Sequence, residues 1–218
     1  MPPLLLLHGF LGRGADWRAV VRHLSCPTLT PDLTLTPPLL PDLCHLAGYS
    51  MGGRIAMQLA LAQPERVLSL VLISAHPGLV SGCAERAAQD EAWAVRFETE
   101  NFDAVLRDWY NQPLFATLRG KDALIRIIGT VHTGSAMAAM LRRYSLAQQP
   151  CYLEPLKRAP FPVTWIYGTQ DLPYRRLYAA IEGRVIGLDG GHALHREQPE
   201  RIAHELDTAR QLHRHPLP

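Results

Sequence analysis

Cys44-His45-Leu46-Ala47-Gly48-Tyr49-Ser50-Met51-Gly52-Gly53-Arg54 is the stretch on which the reading of the chain turns. The apolar run Cys44–Ala47 enters a G-x-S-x-G turn, Gly48 to Gly52. The turn leads into Gly52–Gln63, where Ile55, Ala56, Leu59 and Ala60 recur at roughly helical spacing until Pro64 ends the pattern. Strand, sharp turn with serine, then helix is the setting that pushes a nucleophilic hydroxyl out at the end of a sheet strand. The glycines follow from sterics. The turn is so tight that side chains there would strike neighbouring backbone, and the serine is held in a strained conformation.

Outward from this turn, Leu4–Leu7, Val67–Ile73, Val163–Tyr167 and the weaker Arg184–Leu188 are further short apolar runs. Separated by helical patterns, they read as buried parallel strands of a doubly wound α/β sheet, with Glu200–Leu212 as a closing helix. Between Ile73 and Val163 the pattern is helical only: Ala84–Glu98, Phe102–Tyr110, Asp122–Ile128 and Ser135–Ala147. The expected organisation is a core of 1–75 and 156–218 with a helical cap, 76–155, inserted over the C-terminal edge of the sheet, where such sheets bind ligands. The crossover Pro31–Pro41 carries four prolines and is expected to hold no full helix. One sheet face should then be poorly covered, or covered by a neighbouring subunit, so monomer and homodimer both remain open.

A serine hydroxyl needs a base, and the base an orienting carboxylate, in the chain order Ser, Asp, His. Asp171 follows the strand Val163–Tyr167 through Gly168-Thr169-Gln170, and His192 follows Gly190-Gly191 after the last strand. His195 is the rival base and Asp189 the rival carboxylate. His195, however, falls where a helix should begin, and Asp189 reads as a turn former. Backbone N–H groups of Phe10, in His8-Gly9-Phe10-Leu11-Gly12, and of Met51 are the expected oxyanion donors. Arg54 lies one helical turn beyond Ser50 on the same face, so its cation can hold a carboxylate beside the hydroxyl.

Composition narrows the alternatives. Of the 218 residues 47% are hydrophobic and 19% charged, which fits a globular enzyme and not a disordered chain. A net charge of +2 without basic runs argues against nucleic acid. The four scattered cysteines form no C-x-x-C pair, so neither a zinc site nor a disulfide framework is indicated, and a reducing cytoplasm is expected. The start lacks the features of a secretory leader, and no run reaches the ~18–20 apolar residues of a membrane span.

Four stretches together resemble one known family: Gly48–Arg54, His76-Pro77-Gly78-Leu79, Asp108–Phe115 (D-W-Y-N-Q-P-L-F) and Gly191–Glu197 (G-H-A-L-H-R-E). They resemble the MenH family of menaquinone biosynthesis, the 2-succinyl-6-hydroxy-2,4-cyclohexadiene-1-carboxylate synthases, and the likeness runs from His8 to Leu206. The resemblance implies an α/β-hydrolase fold and a lyase that eliminates pyruvate. The triad serine would act as a base, with no acyl-enzyme and no cofactor or metal. It further implies a small anionic substrate with several carboxylates, clamped by Arg54 and Arg86, in a pocket shaped by Tyr49, Trp109 and Phe115. A third cap arginine of the family aligns near Gly129, so either Arg126, Lys121 or His132 replaces it or the site binds a less anionic ligand. The alternative activity is an esterase or thioesterase using the same Ser50, Asp171 and His192 through an acyl-enzyme.

Overall fold

The computed structural model describes residues 1–212. Six strands form one sheet in the order β2-β1-β3-β4-β5-β6, every neighbouring pair parallel. They are β1 (Leu4–Leu7), β2 (Thr28–Leu29), β3 (Cys44–Tyr49), β4 (Val67–Ile73), β5 (Val163–Gly168) and β6 (Arg184–Leu188). The helices are α1 (Arg18–Val21), α2 (Met51–Ala62), α3 (Cys83–Thr99), α4 (Phe102–Asn111), α5 (Lys121–Val131), α6 (Gly134–Arg143), α7 (Leu153–Lys157), α8 (Leu172–Tyr178), α9 (Leu194–Glu197) and α10 (Pro199–Leu212).

The order of the strands explains where the site lies. From β1 the chain steps outward to β2, crosses back over β1 to β3 and then continues the other way to β4. Parallel crossovers are right-handed, so this reversal sends α1 and α2 to opposite faces and opens a crevice at the C-terminal ends of β1 and β3. The His8 turn and the Ser50 turn meet at that crevice. Beneath it, all of Leu4–Leu7 and all of β3 are buried. Each large apolar side chain so removed from water contributes roughly 1.5–3 kcal/mol.

The crossover from β2 to β3 contains no helix, as its prolines require. It does not leave the sheet bare, however. Leu33 and Leu40 are buried as plugs, while Leu35, Leu39 and Leu43 face solvent. The coil is tied down by Leu33 N–H to His8 Nε2 (2.8 Å), Arg66 Nη1 to Leu40 O (3.2 Å) and Tyr144 Oη–H to Thr34 O (2.7 Å). Between β4 and β5 the regular elements are helices only, α3 to α7, joined by short links, with α3 packed along α6 and α4 along α5. The expected return to the core at residue 156 falls inside α7, which packs on α2. No single helix among the described residues is long and apolar enough to cross a membrane.

Candidate active site

Ser50 caps α2 with φ 51° and ψ −115°, a positive-φ conformation unusual for a non-glycine residue. Two close approaches impose it. A Cβ on Gly48 would stand 2.4 Å from Gly52 O, and one on Gly52 would stand 2.3 Å from His8 O. The turn is therefore pressed against the end of β1, and Ser50 N–H is anchored on Ile73 O at 2.9 Å.

Three side chains from separate strand ends then meet. Ser50 Oγ lies 3.2 Å from His192 Nε2, and His192 Nδ1 lies 2.7 Å from Asp171 Oδ2. Nδ1 carries the proton toward the carboxylate, which leaves Nε2 free to accept from the serine. The His192 and Asp171 side chains are 2% and 1% exposed, so little water competes for their bond. Asp171 also caps α8, its Oδ1 accepting from Tyr174 N–H at 3.4 Å. The rings of Tyr174, Tyr49 and Phe115 wall the imidazole at centroid distances of 4.8, 5.4 and 5.9 Å. Glu197 braces the loop from the other side, accepting from Gly191 N–H (2.7 Å) and from Thr117 Oγ–H (3.0 Å).

Neither rival bonds to the triad among the described residues, although His195 lines the same cavity. His195 is buried against the Tyr49 ring, 4.2 Å between centroids, and its Nδ1 has no partner among the described residues. Burial, reinforced by Arg196, holds its pKa far below the usual histidine range, so it stays neutral. Asp189 is exposed and accepts from Gln170 Nε2 at 2.9 Å.

A cavity of about 550 Å³ opens over Ser50, lined by Phe10, Tyr49, Met51, Arg54, Arg86, Trp109, Phe115 and His192 among others. The backbone N–H groups of Phe10 and Met51 have no hydrogen-bond partner among the described residues. That leaves two donors beside the serine for a negatively charged oxygen. The Phe10 turn is held by Gly12 N–H to Gly9 O (3.1 Å) and by His8 Nδ1–H to Gly9 O (2.8 Å).

The two arginines differ in their partners. Arg86 Nε is 2.8 Å from Asp90 Oδ1, and Asp90 Oδ2 accepts from Ser145 Oγ–H at 2.6 Å. Among the described residues Arg54, part-buried, makes one long bond, Nη1 to Gln149 Oε1 at 3.4 Å, and pairs with no carboxylate. Burial, together with the neighbouring Arg86, lowers its pKa to about 10. His76 stands near both, and burial followed by the two guanidinium charges lowers it to about 4, so it is neutral near pH 7.

The replacement expected for a third cap arginine is not found. Gly129 faces α4, where an added Cβ would lie 2.9 Å from Asp103 Oδ1, and none of Lys121, Arg126 and His132 lines the cavity. The cavity's third guanidinium is Arg196, paired with Asp16 at 2.8 Å. Arg196, His76, Trp93 and Tyr174 also line the cavity and were given no role by sequence, although His76 and Arg196 fall in the quoted stretches. Arg196 sits inside the quoted G-H-A-L-H-R-E stretch, three residues into α9, but nothing in that spacing says which way it points.

Residues 35–205 match the family model described as the alpha/beta hydrolase family. The chain is 34% identical to the 2-succinyl-6-hydroxy-2,4-cyclohexadiene-1-carboxylate synthase of Enterobacter sp. (strain 638), over 93% of this chain and 89% of that protein. It is 32% identical to that of Salmonella agona (strain SL483), over 94% and 92%. The chain belongs to this synthase family of α/β hydrolases. Among solved structures, MenH from S. aureus superposes with a TM-score of 0.85 at 21% identity, covering 98% of this chain and 94% of that one. A thermophilic esterase from Thermogutta terrifontis superposes at 0.77 with 20% identity, covering 98% and 91%. The scaffold is thus shared by synthase and esterase alike. Membership of the synthase family rests on the sequence relatives.

Proposed function

We propose that this enzyme eliminates pyruvate from 2-succinyl-5-enolpyruvyl-6-hydroxy-3-cyclohexene-1-carboxylate and releases 2-succinyl-6-hydroxy-2,4-cyclohexadiene-1-carboxylate, the product for which its relatives are named. The observation that carries the proposal is Arg54: a part-buried cation with no carboxylate partner among the described residues, one helical turn from Ser50 and lining the same cavity. A hydrolase of neutral esters gains nothing from it, whereas a substrate with several carboxylates supplies the missing charge.

In this reading Ser50 passes its proton to His192 Nε2, with Asp171 holding the imidazole. The serine oxygen then takes the ring C–H proton next to the succinyl carbonyl. The freed electron pair moves through the ring double bond and expels the enolpyruvyl oxygen. The C–O bond breaks, and the departing enolate is protonated on carbon to give pyruvate. Negative charge building on the succinyl carbonyl oxygen is met by the N–H groups of Phe10 and Met51. Arg54 and Arg86 position the carboxylates, Tyr49, Trp109 and Phe115 shape the pocket, and residues 76–155 serve as the cap that excludes water. The four free cysteines suit a cytoplasmic setting.

The test is to incubate the purified protein with this precursor and, separately, with p-nitrophenyl acetate, following pyruvate and nitrophenol. Pyruvate release is expected. Rapid ester turnover with no pyruvate would move the assignment to an esterase acting through an acyl-enzyme.

A further inference from the structure

We infer that Gln149 is the residue that keeps Arg54 available to an anionic substrate: its neutral amide orients the guanidinium at a place where a carboxylate would cancel its charge. This rests on the reading of Arg54 as an anion clamp given above.

Gln149 lies 95 residues beyond Arg54, in the link between α6 and α7, and is only 5% exposed. Its backbone is held by Gln149 N–H to Leu146 O at 3.2 Å. Its amide is oriented as well. Nε2 donates to the backbone carbonyl of His76 at 3.2 Å, and a carbonyl accepts only from the NH₂ end, so the amide oxygen must face Arg54. Among the described residues that oxygen accepts a single long bond, 3.4 Å from Nη1. The amide therefore sets the direction of the guanidinium and leaves its charge whole.

The same link treats the second arginine differently. Ser145, four residues earlier, donates to Asp90, and Asp90 pairs with Arg86 at 2.8 Å. One clamp thus carries its own counterion while the other does not, and the difference rests on one residue type. Glutamate and glutamine have almost the same shape. A glutamate at 149 would lie within reach of Arg54 and form a charge-assisted pair, roughly twice as strong as a neutral hydrogen bond. Gln149 does not line the cavity, so it is a positioning and specificity-determining residue rather than a catalytic one.

The test is Gln149→Glu beside Gln149→Met, which has similar length but neither acceptor nor charge. In Gln149→Glu the KM for the precursor should rise about tenfold or more, equivalent to at least 1.4 kcal/mol, with kcat changed less than about threefold. Gln149→Met should raise KM only about two- to fivefold, because Arg54 keeps its charge and loses one weak bond. The pH profile separates charge from packing. In the wild type kcat/KM should fall as pH approaches 10 and Arg54 loses its proton; in Gln149→Glu that alkaline fall should move higher. Succinate binding by calorimetry needs no turnover and should be lost in Gln149→Glu but kept in the wild type and in Gln149→Met. A wild type that binds succinate but releases no pyruvate, with binding lost in Gln149→Glu, would overturn the lyase assignment and leave this inference standing. The inference is overturned if Gln149→Glu keeps a KM within twofold of wild type, if Gln149→Met is equally damaging, or if the wild type binds no succinate. Should Gln149→Glu fail to fold, a large KM rise or loss of succinate binding in Gln149→Met decides against it.

Discussion

At the scale of single residues, the proposed function divides the work of the site between Ser50 and Arg54. Ser50 is held in a strained conformation, costing about 1–3 kcal/mol, by the close packing at Gly48 and Gly52. Ser50→Ala or His192→Ala should lower pyruvate release by about 10²–10⁴-fold or more, the contribution expected of a positioned base. Undiminished turnover by either would remove that residue from the mechanism. Arg54→Ala should cost about 10–100-fold in kcat/KM for the precursor, as loss of a charge-assisted contact does, and less than about threefold in background hydrolysis of p-nitrophenyl acetate. Equal losses on both substrates contradict the clamp. Both residues could be picked out as candidates because their signals are local, a turn motif and one helical turn of separation, although their partners His192 and Gln149 are distant in sequence. Gln149 and His76 were not, since their roles depend on contacts across nearly a hundred residues or on charge gathered from several elements, and neither leaves a periodicity.

At the scale of elements, the loop after β6 and the segment after α4 are joined through one carboxylate. Glu197 accepts from Gly191 N–H beside His192 and from Thr117 Oγ–H of the helical segment 76–155. Glu197→Ala should therefore lower kcat by roughly 10–100-fold by unpinning the imidazole. Thr117→Val, which releases only one side, should cost less than about tenfold. Equal effects in steady-state assays would mean that the two bonds act as one. The β2–β3 crossover gives a stability counterpart. Leu33→Ala should cost about 2–5 kcal/mol in denaturant unfolding, whereas Leu39→Ala, at a side chain 92% exposed, should stay within about 0.5 kcal/mol. Its prolines made the missing helix legible in advance. They could not show that two leucines would fold back as plugs, because a coil has no repeat from which facing can be read.

At the scale of the whole molecule, a parallel sheet buried on both faces writes its inner strands as continuous apolar runs, which is why β1 and β4 have the bounds read from sequence, whereas β6, at the edge and mostly part-exposed, gave only a weaker run. The two-residue edge strand β2 is part-exposed and leaves no such run. Burial of histidines has a global consequence. His8, His76 and His195 all have folded pKa values below the ordinary 6.5, His76 at about 4, with burial the largest cause in each. Between these values and 6.5 the unfolded chain binds more protons, so their contribution to stability is whole above about 6.5 and is lost as pH falls toward 4. The melting temperature should drop across that interval, and His76→Asn should flatten part of the slope; an unchanged slope would contradict the assignment for His76.

The central claim is that Ser50 removes a proton and never carries the substrate. Mixing enzyme and precursor in equal amounts and following pyruvate together with intact-protein mass tests it most directly. One pyruvate per enzyme, with no mass added to the protein and no release by Ser50→Ala, is the predicted result. A covalent adduct on Ser50, or pyruvate released at the wild-type rate by Ser50→Ala, would contradict it.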